Sequence, residues 1–184
     1  MDQIKFDAET HTYTVGDRVV PSVTQILQEV GIIDTRWYTD EARIRGTYVH
    51  EAIHLHHNGG LNYDSLDAVI KPYFDAYLKF LKITKFEYID GEEIVYHEAR
   101  NYIGTYDLHG RYNNLNTLLD IKTGTSAPKW AGLQTAAYAD CLGMPMRKVL
   151  LLKVNGWSVI SYKDYRDYTV FQSAAAVVNW KRGR

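Results

Sequence analysis

Two aspartates flanking a tight polar turn constrain this chain more than any other feature. The stretch reads Ile103-Gly-Thr-Tyr-Asp107, continues to Asn113-Asn114, and returns through Leu118-Leu119-Asp120-Ile121-Lys122-Thr123-Gly124. Asn tolerates positive φ, so Asn113-Asn114 can make a two-residue hairpin turn. Pairing outward from that turn sets Asp107 directly across the ladder from Asp120, on one face. Residues two apart on a strand share a face, so Lys122 projects beside Asp120. Carboxylates that face each other across a ladder repel, and a shared cation removes the repulsion. Two solvated aspartates on an exposed hairpin are the bland alternative. That alternative leaves the register, Lys122 and the neighbouring Leu118-Leu119 unexplained.

Helical spacing predicts elements on either side of this hairpin. Residues 129–142 read as a helix with Ala131, Ala136, Ala137 and Ala139, ended by Gly143 and Pro145. Gln134 and Tyr138 stand at i and i+4 on it and face one way. Upstream, a helix over residues 40–57 buries Ala42, Val49 and Ile53, and Asn58-Gly59-Gly60 ends it. His50, His54 and His57 form one stripe along it. Gly46 leaves room for close approach of a strand or a phosphate.

The remaining pattern is ordinary. Residues 4–20 read as a β-hairpin turning at Gly16-Asp17, and Ser22 with Gln25 resembles a helix start. Residues 64–82 form a packing helix that Pro72 interrupts and kinks. Lys85 to Glu98 reads as one strand with Ile94 and Tyr96 on a shared face. Residues 149–154 and 157–162 are strands joined at Asn155-Gly156, and 167–180 make a closing helix. A length of 184 residues without repeat or linker suggests one domain spanning 1–184.

Composition narrows the classes. The apolar fraction is 46%, and no apolar run is long enough for a transmembrane helix. No charged-then-apolar leader is visible. Cys141 is the single cysteine, which excludes an intrachain disulfide framework and an iron–sulfur cluster on four cysteines. A cytoplasmic setting is the expectation. The formal charge of −1 gives no global attraction to nucleic acid, but it leaves room for a local basic groove.

Asp107, then Asp120-Ile121-Lys122, then Gln134-x-x-x-Tyr138 resembles the PD-(D/E)XK nuclease superfamily in its RecB-like, phage-exonuclease branch. Gly46-Thr47-Tyr48-Val49-His50 is similar to the GxxxH element of that branch. His11-Thr-Tyr-Thr with Pro21-Ser-Val-Thr is similar to the opening of phage-type members. The resemblance implies an α/β fold with a restriction-endonuclease-like core, in which helices flank a central mixed sheet behind an N-terminal hairpin. It implies metal-dependent hydrolysis of DNA, with exonuclease action expected over endonuclease action. His50, Asp107, Asp120 and the Ile121 carbonyl would hold the metal, with Asp107, Asp120 and Lys122 as the catalytic group. Carboxylates suit Mg2+ and Mn2+, and an imidazole tilts the preference toward Mn2+. Lys122 would orient water or stabilise charge on the phosphoryl oxygens.

The resemblance further implies that Gln134 and Tyr138 line the site and touch DNA or water. Arg43, Arg45, Lys129 and Trp130 lie near motif elements, where they could hold phosphates or stack on a base. Glu93 is a secondary candidate, because similar proteins often begin a core strand with Glu. A phage or prophage setting and a recombination partner protein are expectations of the same kind. Two other readings stay open. His50-Glu51-Ala52-Ile53-His54 matches HExxH, the zinc-peptidase helix, although position 57 is His and position 60 is Gly where a metzincin needs Gly and His. A catalytically silent DNA-binding module on the same fold is the second.

Overall fold

The computed structural model describes residues 3–144 and 146–183. The expected termination at Pro145 lies outside them. Ten strands and five α-helices are formed among the described residues. Strands β1 (Ile4–Asp7), β2 (Thr12–Val15) and β3 (Arg18–Val20) make an antiparallel sheet. The expected N-terminal hairpin therefore carries a third strand, because the chain turns both after Asp7 and at Gly16-Asp17. Ser22 caps α1 (Val23–Glu29) in a reciprocal capping box with Gln25.

Helix α2 (Asp40–His57) starts at the Thr39 cap, whose side-chain oxygen accepts from the Ala42 N–H. Helix α3 spans only Lys71–Thr84. Pro72 sits in its first turn and does not kink it. The missing N–H of a proline costs nothing there, since first-turn donors have no intrahelical partner.

The main sheet has the order β10-β9-β8-β7-β4, built from β4 (Glu87–Asp90), β7 (Leu108–Tyr112), β8 (Leu115–Thr123), β9 (Met146–Lys153) and β10 (Gly156–Tyr162). The β8–β9 pair is parallel and the other pairs are antiparallel, so the sheet is mixed. Strands β5 (Glu93–His97) and β6 (Tyr102–Tyr106) form a separate two-stranded sheet. The single strand expected over Lys85–Glu98 is thus two strands in two sheets. They part at Gly91-Glu92, where Glu92 takes a positive φ of 54°.

Period-two alternation divides the core. Leu119 and Ile121 of β8 face α2 and α3, among Val49, Ile53, Phe74, Tyr77 and Phe80. Leu118 faces the other way, toward α1, α4 (Ala131–Leu142) and α5 (Arg166–Lys181), among Ile26, Ala137 and Phe171. Helices therefore cover both faces of a central mixed sheet. Among the described residues no helix is long and apolar enough to cross a membrane.

Candidate active site

The site forms where the central hairpin loses its second strand. Asn113 and Asn114 have φ of 52° and 62°, and the ladder runs from Tyr112 opposite Leu115 to Leu108 opposite Leu119. This is the register that the asparagine turn predicts. Asp107 lies one residue beyond the last pair, where the chain crosses from β6 to β7. Past Leu119, β8 has no strand beside it on that side. The Ile121 N–H and C=O would otherwise be unpaired inside the protein, and side chains take them. Asp107 Oδ2 accepts the Ile121 N–H at 2.5 Å. The Ile121 carbonyl accepts from His50 Nε2 at 3.1 Å.

His50 Nδ1 points at two carboxylates, 3.5 Å from Asp107 Oδ1 and 3.7 Å from Glu92 Oε1. Burial works against charge on this imidazole, but Asp107 and Glu92 outweigh it and push the pKa up to about 9. Together His50, Glu92 and Asp107 are, among the described residues, the one group whose donor atoms lie close enough to share an ion. Two carboxylates and an imidazole suit Mn2+ or Mg2+, and binding such an ion would require His50 to give up its proton.

Asp120 and Lys122 point to the α4 side of the sheet. Asp120 is 2% exposed. Burial pushes its carboxyl up to about 6, with Lys122 opposing and Asp107 adding to the rise. Lys122 Nζ lies 2.8 Å from Asp120 Oδ2, yet that oxygen receives no well-aligned hydrogen bond. Asp120, expected as a metal ligand, stands outside the His50–Glu92–Asp107 group and is paired with the Lys122 ammonium instead. Burial disfavours the Lys122 ammonium, but Asp120 and Asp107 hold it above the ordinary lysine range. Nζ also donates to Gln134 Oε1 at 3.0 Å and lies 5.2 Å from the centre of the Trp130 ring. Asp120, Lys122 and Gln134 so form one polar chain across the strand-to-helix gap.

The other expected residues separate into two groups. Tyr138 is 4% exposed and forms the wall behind the site, where burial pushes its phenol well up. Gly104 admits it, since a Cβ there would stand 2.7 Å from its ring. Gly46 faces Thr123 at the end of β8, but an added Cβ would meet only ordinary contact at 3.8 Å. Arg43 is exposed and pairs with Asp40 at 3.3 Å. Lys129 is exposed on the loop before α4, and Trp130 is half-buried. Arg45 turns away from His50 and lies over the Tyr73 ring. Glu93 is exposed on β5 opposite Tyr106.

Glu92, the residue just before Glu93, is the one the sequence reading missed. Its positive φ turns it inward, and its N–H bonds the Tyr106 and Asp107 carbonyls at 3.0 and 3.2 Å. Gly91 makes this possible, because a Cβ there would stand 2.3 Å from the Asp107 carbonyl oxygen. The signal available in the sequence was Asp90-Gly91 ahead of a Glu-Glu pair, a turn inside an apparent strand.

The chain is similar in structure to an alkaline exonuclease. That protein, LHK-Exo from Laribacter hongkongensis, aligns over 87% of this chain and 86% of its own, with a TM-score of 0.47 and 10% identity. A structure of LHK-Exo in complex with dAMP aligns over 88% and 87%, with a TM-score of 0.44 and 13% identity. No family model matches the chain, and no curated protein matches it. The HExxH alternative finds no support in the geometry. His54 is outside the metal-type group and its Nε2 meets Asn58, while Glu51 is exposed.

Proposed function

We propose that the chain is a single nuclease domain that hydrolyses phosphodiester bonds of DNA with Mg2+ or Mn2+, working from ends. The observation that carries this reading is the meeting of His50, Glu92 and Asp107 beside the Asp120–Lys122 pair at an interrupted strand edge. A divalent ion in that group supplies positive charge to a scissile phosphate and makes water more acidic. The chain's own residues do the rest. Lys122, held by Asp120 and Gln134, presents an ammonium to the phosphoryl oxygens as their negative charge grows. Asp107 braces the strand edge through the Ile121 N–H and would help hold the ion with His50 and Glu92. Gln134 sets the direction of Lys122 through its Oε1, and the buried Tyr138 walls the site behind them. Trp130, Lys129 and Arg43 contribute aromatic surface and charge for the nucleic acid. The preference for ends, a phage or prophage origin, a recombination partner and a cytoplasmic location rest on the motif resemblance.

Digestion of end-labelled DNA tests the proposal. Single-stranded, linear duplex and closed-circular substrates are compared with Mg2+, Mn2+ and chelator. Linear DNA should be degraded only with metal, and Asp120→Ala should abolish degradation while the protein stays folded. Cleavage of closed circles would overturn end-directed action, and metal-independent or absent cleavage would overturn the nuclease reading.

A further inference from the structure

The flank of α2 that faces away from the site lines a cavity of about 700 Å³, completed by residues 60–70. Helical geometry puts Tyr48 about 160° around the axis from His50, so the two features use nearly opposite faces of one helix. The walls are apolar and open to solvent. Ile44, Tyr48 and Val69 are 45%, 54% and 61% exposed, and all three border this one cavity. Apolar side chains grouped at one opening offer a contact surface to another molecule. Arg45 enters the wall with its guanidinium carbon 5.3 Å from the centre of the Tyr73 ring, and its Nε is buried without an acceptor. The side chain as a whole is half-buried in the lining of the opening, where its guanidinium can donate to an anionic acceptor. Glu41, Glu51 and Asp67 are exposed around the same opening.

We propose that this cavity receives a segment of a partner protein that combines apolar side chains, one carboxylate for Arg45, and basic residues for the acidic rim. The charge pattern chooses among occupants. A fatty acid or a nucleotide brings only negative charge and meets three carboxylates on the way to one guanidinium. A polypeptide carries both signs at set spacing along an apolar strip, so it matches a cationic wall and an anionic rim together.

The probe is a displayed library of short random peptides sorted on the full-length protein. Enriched peptides should carry Asp or Glu between apolar residues, with Lys or Arg outside. Synthetic copies should bind Arg45→Leu more weakly by roughly tenfold or more. Val69→Glu should weaken them as well, and charge reversal at the rim with Glu51→Lys should weaken those with basic flanks. Thermal melts confirm that each variant is folded. Hydrogen exchange should show peptide protection confined to residues 41–55 and 60–70. Absence of enrichment, equal affinity for Arg45→Leu, or protection elsewhere overturns the proposal. Concentration-dependent self-association through this face would replace the partner by a second copy of the chain. Protection of the same residues by a short DNA duplex would make the cavity part of the nucleic-acid path.

Discussion

Gly91→Ala is the sharpest perturbation available, because one methyl group tests how the strand break builds the site. The added Cβ would stand 2.3 Å from the Asp107 carbonyl oxygen and 3.3 Å from both the Asp107 carbonyl carbon and Leu108 Cδ2. The nearest of these atoms is backbone, so no rotamer change relieves the contact, and the turn must lift away. Overpacking of this kind costs about 1–3 kcal/mol. The Glu92 N–H then loses its acceptors, the Tyr106 and Asp107 carbonyls at 3.0 and 3.2 Å, at a further cost of about 0.5–1.5 kcal/mol. The expected loss is about 2–4 kcal/mol, a large share of the ~5–15 kcal/mol that holds a domain together. Lifting the turn also withdraws Glu92 from His50. Mn2+ affinity, read by electron paramagnetic resonance at a temperature where the variant is folded, should fall by about tenfold or more. Glu92→Gln separates the effects, since it removes a charge without moving backbone: metal affinity falls, while the urea midpoint in chelator at about pH 10 or above, where His50 is neutral, does not. A Gly91→Ala protein within about 0.5 kcal/mol of wild type in urea, with unchanged Mn2+ affinity, would refute the reasoning.

Three further outcomes follow from the same geometry. His50 titrates at about 9 in the metal-free fold and at about 6.5 when unfolded. Its raised pKa stabilises the protein fully below pH 6.5, and that contribution disappears as pH rises through 9. The ceiling is about 3 kcal/mol; urea melts in chelator from pH 6 to 10 should show the decline, and His50→Gln should flatten it. Lys122→Met strands Asp120 in the interior and should cost about 3–5 kcal/mol at neutral pH. Asp120 then titrates above its present value of about 6, so the deficit should shrink as acid neutralises it; adding Asp120→Asn should recover much of it, and a double-mutant cycle with no coupling would contradict the ion pair. Gly104→Ala drives a methyl to 2.7 Å from the Tyr138 ring and should cost about 1–3 kcal/mol. Its partner substitution Tyr138→Phe retains the ring and should leave that penalty in place when combined, whereas Tyr138→Ala should remove it; calorimetric melts separate these outcomes.

Local chemistry made part of this site legible in advance. Asn113-Asn114 has few alternatives to a two-residue turn, and a turn sets the register of everything paired outward from it, so the ladder from Tyr112–Leu115 to Leu108–Leu119 follows; Asp107 lies past its end and takes the Ile121 N–H instead of pairing with Asp120. Asn58-Gly59-Gly60 ends α2 as the pattern indicates, and the Thr39 cap that starts it is visible only in the structure. Pro72 starts α3 instead of kinking it, and the strand expected over Lys85–Glu98 divides after Asp90, because periodicity alone does not say whether a break starts, bends or ends an element.

The sequence by itself determined the hairpin, the strand faces of Asp120 and Lys122, and the helix that carries His50, since each depends on neighbours a few residues apart. Only the tertiary structure decided that Glu92 joins His50 and Asp107, that Tyr138 backs the site from inside the core, and that Arg45 serves the opposite side of α2. Those outcomes depend on how separate elements approach one another. The approach is set by a methyl-sized gap at Gly91, by the room Gly104 leaves, and by backbone groups of Ile121 that an ending ladder leaves for side chains to bind.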